Sequence, residues 1–216
     1  MFTIKSPKVL SKLAQGYAAS ESTRYAINGV QIEPHNGRAL AIATDGRKLC
    51  MGLVGTADAD AHKTLLAVDD VVSAGRLAKG RLLSTVRLTN GTPGRITAQG
   101  ATGAVDPMPA GPETVCDEIE GNFPNYRDVC ESELPTFRIA FNPALLLDAL
   151  KAFVEALGEE NRAVALHFTD SSKPMHLIGG STENPLYALL MPVNAGCDAD
   201  VARRGNDARK AFGLPV

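Results

Sequence analysis

Apolar positions along this chain follow two rhythms, one of period near 3.6 and one of period 2, and the two alternate in a fixed order. Phe2 to Lys5 reads as a short strand. Ser6-Pro7 follows, pairing a residue suited to cap a helix with one whose fixed φ and missing N–H suit a first helical turn. Val9, Leu10, Leu13 and Tyr17 then recur at helical spacing with Lys8 and Lys12 on another face. That spacing predicts an amphipathic helix with a basic stripe, ending before Ser20. Strand-like runs come next at Tyr25 to Ile32, Ala39 to Thr44 and Lys48 to Val54.

The same order returns twice. Phe137 to Ala140 predicts a strand, Asn142 a cap, Pro143 a first-turn residue, and Leu145 to Leu157 an apolar-rich helix stopped by Gly158. Strands are expected after it at Ala163 to Thr169, Met175 to Ile178 and Leu186 to Met191. Between these two passages lies a weaker version. It has Thr64 to Val68 as strand, Asp69 as cap, and Val71 to Lys79 as a short helix containing Gly75, an unfavourable helix residue, before Gly80. Its strands are expected at Thr85 to Leu88, Arg95 to Ala98 and Thr102 to Val105. Turn signals stand at His35-Asn36-Gly37, Asn90-Gly91 and Gly179-Gly180.

A strand, helix and strand-meander unit used three times predicts an α+β architecture, with helices on one face of antiparallel sheets. A parallel dinucleotide-binding fold would alternate single strands with single helices, and it is disfavoured. Asp106 to Pro112 reads as a surface loop and Cys130 to Pro135 as a linker. Asn194 to Val216 reads as a polar, peripheral tail with a short helix near Ala208 to Phe212.

Composition narrows the functional classes. A chain of 216 residues, 44% hydrophobic and 21% charged, supports one or two domains with a sizeable core. Its 22 basic and 24 acidic residues leave a formal charge of -2, so any contact with nucleic acid must come from a local basic face. Cys50, Cys116, Cys130 and Cys197 are scattered without metal-ligand spacing and read as reduced, structural thiols. No metal or cofactor is expected. The start of the chain lacks a basic segment followed by an apolar stretch, and no apolar run approaches the roughly 20 residues that span a bilayer. A cytoplasmic protein with no membrane partner is the expectation.

Enzyme signatures are missing: there is no phosphate-binding Gly-rich loop ending in Gly-Lys, no Gly-x-Ser-x-Gly elbow and no paired-histidine helix motif. His167 and His176 fall in adjacent predicted strands, where a surface or packed pair is the plain reading. Asp45, inside Thr-Asp-Gly, is expected to bond its own turn rather than to act as a catalytic acid. No catalytic residue is assigned.

Three passages carry a family resemblance. Arg24-Tyr25-Ala26-Ile27-Asn28-Gly29-Val30, with Ala43-Thr44-Asp45-Gly46-Arg47-Lys48-Leu49, resembles a strand and turn of the bacterial DNA polymerase sliding clamp, the DNA polymerase III beta subunit. Gly121 to Val129 (Gly-Asn-Phe-Pro-Asn-Tyr-Arg-Asp-Val) is similar to the end of the clamp's middle domain. Phe141-Asn142-Pro143 with Tyr187-Ala188-Leu189-Leu190-Met191-Pro192-Val193 resembles its last half-domain and terminus. The resemblance implies a DNA-clamp fold with a clamp-like domain over residues 1–130, a half-domain over 136–194 and a tail over 195–216, without a counterpart of the clamp's first domain.

The function implied is that of a processivity factor in DNA replication, which encircles double-stranded DNA and tethers DNA polymerase, repair and clamp-loader proteins through short linear motifs. Lys8, Lys12, Arg76, Lys79 and Lys151 on the predicted helices are the candidate DNA lining, and Arg24 and Tyr25 match a DNA-contacting passage. The family's partner-peptide groove maps onto Ile27, Thr44, Gly46, Arg47 and Leu49 and onto Leu189, Met191, Pro192 and Val193. A chain with one and a half domains implies a homo-oligomer in which half-domains of two chains complete one another and four chains close a ring. Departures are Ala26 in place of an aromatic, Glu21 in place of a neutral residue, and Asn194 in place of the family's Arg. The alternatives are a degenerate clamp that binds partners without encircling DNA, and a small enzyme on a similar α+β scaffold.

Overall fold

The strand and the Ser-Pro pair that open the sequence become β1 (Phe2–Ile4) and α1 (Pro7–Tyr17). Ser6 takes the cap position, but it is its carbonyl, accepting Leu10 N–H at 3.1 Å, that starts the helix, and its hydroxyl makes no capping bond. The computed structural model describes residues 1–21, 26–78, 85–90, 95–101, 111–130, 139–157, 163–180, 185–193 and 198–214, which fall into two units, Met1–Asn125 and Tyr126–Val216. Among the described residues no helix is long and apolar enough to cross a membrane.

In the first unit, β1 and α1 lead into the meander β2 (Gly29–His35), β3 (Arg38–Thr44) and β4 (Leu49–Ala57). The order then repeats as β5 (Thr64–Ala67), α2 (Val68–Leu77), β6 (Thr85–Asn90), β7 (Arg95–Ala101) and β8 (Glu113–Asp117). Asn36-Gly37 joins β2 to β3 as a two-residue hairpin turn, with His35 opposite Arg38. All eight strands form one antiparallel sheet, in the order β5-β2-β3-β4-β1-β6-β7-β8.

The two repeats are interlocked. β1 pairs with β4 of its own repeat and with β6 of the other, and β5 pairs across with β2. The ends of the sheet also meet, because Ile119 N–H donates to the Leu65 carbonyl at 2.8 Å and Leu66 bridges Glu118. The sheet therefore nearly closes on itself.

Both helices sit over this sheet. Leu10, Leu13 and Ala14 of α1, with Val71 and Ala74 of α2, are buried against Ile4, Val30, Ile32, Val54, Val86 and Leu88. β3 turns alanines, Ala39, Ala41 and Ala43, into that core, which lets α1 lie close. Each fully buried Leu or Val contributes about 1.5–3 kcal/mol. The thiol of Cys116 is buried under α2, and burial first, then the charges of Asp70 and Asp117, push it up to about 11, so it stays protonated and inert.

The second unit holds α3 (Tyr126–Cys130), α4 (Pro143–Leu157), β9 (Ala165–His167), β10 (Met175–Gly180), β11 (Pro185–Leu190) and α5 (Asp198–Ala211). Asn142 caps α4 as its sequence predicts, its Oδ1 accepting Ala144 N–H at 2.9 Å. The antiparallel sheet runs β11-β10-β9, and Met175, Leu177 and Leu190 bury Phe153 of α4.

Several expectations shift. α2 starts at Val68 with Ala67 in the cap position, so Asp69 lies in the first turn, where a negative charge suits the helix N-terminus. Asp70 beside it accepts Asp117 N–H at 3.0 Å and ties α2 to β8. Gly75 is no breaker: a Cβ there would lie 2.1 Å from Ser11 Oγ and 3.3 Å from the Pro7 carbonyl, so it is the point where α1 and α2 touch. Gly179 continues β10 opposite Leu186, where a Cβ would meet Leu157 at 2.9 Å and Phe153 at 3.1 Å, and Gly180, opposite Pro185, ends the strand at φ +89°.

β8 was not expected, since Cys116 is its single buried residue and its order comes from the ladder with β7. α5 is much longer than the short helix foreseen, with Arg209 and Lys210 suiting its C-terminal end. The strand expected at Thr102 to Val105 lies outside the described residues, as do Phe137 and Arg138 of the strand expected before α4.

Gly75→Leu should therefore destabilise the chain by about 2 kcal/mol or more through overpacking, read as a lower urea midpoint. Gly16→Ala is the control. Nothing lies within 4 Å of its added Cβ, and helix propensity alone should raise stability by about 0.5–1 kcal/mol.

Candidate functional site

The turn between β3 and β4 is built by its own side chains. Thr44, buried, donates from Oγ1 to the Lys48 carbonyl at 2.8 Å and accepts Gly46 N–H at 3.0 Å. Asp45 Oδ1 accepts both Arg47 N–H and Lys48 N–H at 2.9 Å. Gly46 has φ +83°, a left-handed conformation that side-chain-bearing residues adopt at a cost. The N–H bonds from Arg47 and then Lys48, more than the Lys48 charge, hold the Asp45 carboxyl below its ordinary value, against a small opposing effect of burial. Asp45 is thus a turn brace, as its sequence context suggests.

Around this turn the expected groove residues differ in exposure. Ile27 is buried and Leu49 half-buried, while Arg47 is exposed. Ile27 is held from both sides: its carbonyl accepts Ala19 N–H at 2.9 Å, and its neighbour Ala26 donates to the Asn122 carbonyl at 3.1 Å. Two of the passages singled out in the sequence therefore meet, at Ala26-Ile27 and Gly121-Asn122. Lys48 Nζ lies 5.5 Å from the centre of the Tyr17 ring. Tyr17 in turn lines an apolar cavity of about 380 Å³ between α1 and β4, with Val9, Leu13, Met51 and Gly52 and with Lys8 and Lys12. Nothing in the sequence reading anticipated this cavity, although Gly52 in a strand pattern is the kind of signal that marks such an opening.

In the second unit the residues carried over form a ridge. β11 alternates, with Leu186, Ala188 and Leu190 toward α4 and Tyr187 and Leu189 away from it. The alternation continues past the strand, so Leu189 (55% exposed), Met191 (62%) and Val193 (45%) all reach solvent, with Pro192 between the last two. His176, opposite Leu189 and opposite His167 in register, shares a hydrogen bond of 2.6 Å between its Nδ1 and the Tyr187 hydroxyl. The two histidines do stand side by side, and Tyr187 is the partner that the sequence reading missed. Among the described residues no three His, Cys, Asp or Glu side chains converge as a metal site requires.

The basic residues are unequal. Lys8 and Lys12 point directly away from buried Leu10, Leu13 and Ala14, giving α1 a cationic outer face. On α2 Arg76 is exposed but shares its face with Asp69 and Ser73 at helical spacing. Lys151 of α4 is exposed between Asp148 and Glu155, three before and four after it. Lysine counting overlooked those acids. Arg24, Tyr25 and Lys79 lie outside the described residues.

A second cavity, of about 560 Å³ and polar, lies beside Gln31, Thr64, Arg95 and the segment Asp117 to Phe123. Two of its carboxylates are engaged in structure: Asp117 pairs with Arg95 at 3.0 Å, and Glu118 accepts the Thr64 hydroxyl.

No protein-family model matches this chain, and no curated protein does either. Solved structures do match. The DNA polymerase sliding clamp from Pseudomonas aeruginosa aligns at 19% identity over 88% of this chain and 50% of its own, with a TM-score of 0.64. The DNA polymerase III subunit beta from Borrelia burgdorferi, solved in complex with a natural product, aligns at 17% over 88% and 46%, TM-score 0.65. The beta subunit from the DNA polymerase of Streptococcus pyogenes aligns at 19% over 88% and 50%, TM-score 0.63. The likeness is one of fold: this chain has the sliding-clamp fold and spans about half the length of the solved chains that it matches.

Two measurements check the turn. Thr44→Val should lower stability by about 1–3 kcal/mol, because it removes two part-buried hydrogen bonds of about 0.5–1.5 kcal/mol each. The depressed Asp45 value means that its contribution is present above the ordinary carboxylate pKa of 3.8 and is lost as pH falls through the lower folded value. The Arg47 and Lys48 amide resonances should accordingly shift with a midpoint below 3.8, and Asp45→Ala should abolish that titration.

Proposed function

We propose that this protein is a clamp-like tether, copies of which surround double-stranded DNA and hold DNA polymerase or clamp-loader proteins through short linear motifs. The observation that carries the reading is the ridge of Leu189, Met191 and Val193, apolar side chains that a strand places in solvent rather than in a core. Methionine at its centre suits a surface that accepts more than one peptide, because its unbranched thioether adapts to the shape it meets. A peptide with Leu and Phe anchors is the chemistry it fits. The Ile27, Thr44, Gly46, Arg47 and Leu49 group is assigned to the same task by its sequence resemblance. The rigidity of its turn supports that assignment, since a preorganised surface loses little entropy on binding.

For DNA, Lys8 and Lys12 are the residues proposed to face phosphates. A tether that slides needs cations near the backbone and no base readout. A second reading has its own support: Asp148 and Glu155 flank Lys151, and Asp69 shares the face of Arg76, so two of the three helices offer little net positive charge. In that reading the protein is a clamp-like interaction module that does not enclose DNA.

Retention on DNA and peptide capture separate the two. On a closed circular duplex the first reading expects retention that survives salt and is lost when the circle is linearised, together with stimulated processivity on a primed circle. Lys8→Glu combined with Lys12→Glu should weaken loading. Peptide binding without any retention on circles would leave the second reading. In either, Met191→Glu should weaken a labelled Leu/Phe-containing peptide at least about tenfold in fluorescence polarisation. Unchanged affinity in that variant would remove the ridge from the partner site.

A further inference from the structure

We infer that the second unit is half of a domain, and that its other half is the second unit of another copy of this chain. The inference stands on the internal repeat and holds whether or not the protein encloses DNA. In the first unit each repeat leaves one helix flank and one strand edge open, and the other repeat closes both. α1 and α2 pack side by side, and the first strand of each repeat crosses to the first meander strand of the other, β1 to β6 and β5 to β2.

The second unit contains one such repeat, α4 with β9, β10 and β11. Its internal pairing follows the first unit: Val193 N–H donates to the Ala140 carbonyl at 2.8 Å, joining the segment before α4 to the end of the meander as β1 joins β4. The cross-repeat pairing has no counterpart among the described residues. Among the described strands β9 stands at the sheet edge with its residues exposed, a row of backbone groups open to another strand.

The helix says the same. Setting Pro143 on Pro7 places core-packed Leu146, Ala149 and Leu150 on Leu10, Leu13 and Ala14. The position of Ser11, whose Oγ meets Gly75 of the companion helix, then falls on Leu147. Val154 lies seven residues further along the same face. Leu147 is 52% exposed and Val154 71% exposed. The flank that a second helix seals in the first unit is, in α4, leucine and valine in water. Larger side chains than Ser11 at this flank call for a companion helix that contributes apolar residues, and α4 of another copy supplies them. The occupant is a second copy because the repeat completes itself with its own kind in the first unit, and a two-fold axis makes one patch serve both chains.

Light scattering on the full chain over a range of concentrations, with hydrogen exchange at β9, tests this. The expected mass is two chains or an even multiple. Leu147→Asp with Val154→Asp should bring it down by half or to a single chain with an unchanged circular dichroism spectrum, since both positions face solvent in the single chain. The Leu166 and His167 amides of the unmodified protein should exchange slowly when concentrated and faster on dilution, a readout that needs no variant to fold. A single-chain mass at every concentration overturns the inference and leaves this face to a different protein. An even-numbered assembly whose mass survives both substitutions, with β9 exchange independent of concentration, overturns it as well.

Discussion

One helix laid on a short meander cannot cover its own apolar side, and the architecture of this chain follows from that constraint. In the first unit the remedy is a second repeat: α2 meets α1 at Gly75, where only a hydrogen atom fits against Ser11 and the Pro7 carbonyl. β1 and β5 reach across so that each sheet half is hydrogen-bonded into the other. Closeness of the helices and exchange of the strands are one device, because the crossing strands lead directly into the helices that touch. Removing either would expose Leu10, Leu13 and Val71 together, several kcal/mol of burial at about 1.5–3 kcal/mol per side chain.

With the helix layer and strand edges of the first unit committed to that task, the surfaces proposed for binding are a turn and a strand end. The turn from Thr44 to Leu49 spends no core residue on its shape: Thr44 and Asp45 satisfy its N–H groups, and Gly46 takes the left-handed position. The end of β11 keeps strand alternation after the strand itself stops, which turns Leu189, Met191 and Val193 the same way. Tyr187 is steadied by His176 across the ladder. The ridge presents apolar side chains and the turn presents Arg47 and Lys48, each on ordered backbone, and groups so held bind at small entropic cost.

Much of this was legible because it is local. Ser6-Pro7 and Asn142-Pro143 announce helix starts through geometry confined to a single turn, and Asn36-Gly37 announces a hairpin in the same way. What misled was chemistry whose cause lies elsewhere in the fold. Gly75 resembles a helix breaker and Gly179 part of a turn, yet each is small because another element, α1 or α4, comes within contact of it. β8 carries little pattern of its own, being ordered by β7. At the site, the Thr-Asp-Gly turn could be read from its residues. The burial of Ile27 and the pairing of His176 with Tyr187 depend on partners 95 residues and 11 residues away respectively: Asn122 holds Ala26 beside the one, and the ladder sets the other. The acids around Lys151 were in plain sight at i−3 and i+4, and only a count restricted to lysines missed them.

Electrostatics and assembly then become a single question. A protein that binds DNA by charge alone releases counterions in proportion to the phosphates it neutralises, and the logarithm of its affinity falls with that of salt at about −0.9 per phosphate. Lys8 and Lys12 are the pair proposed to face phosphates, and two such contacts give a slope of about two and a weak hold. The lasting retention that the proposed function calls for exceeds what those two contacts supply. In the proposed tether it comes from enclosure, and enclosure requires copies joined through surfaces that stay closed. The half-repeat of the second unit, with Leu147 and Val154 open on α4, is the surface proposed above to join them.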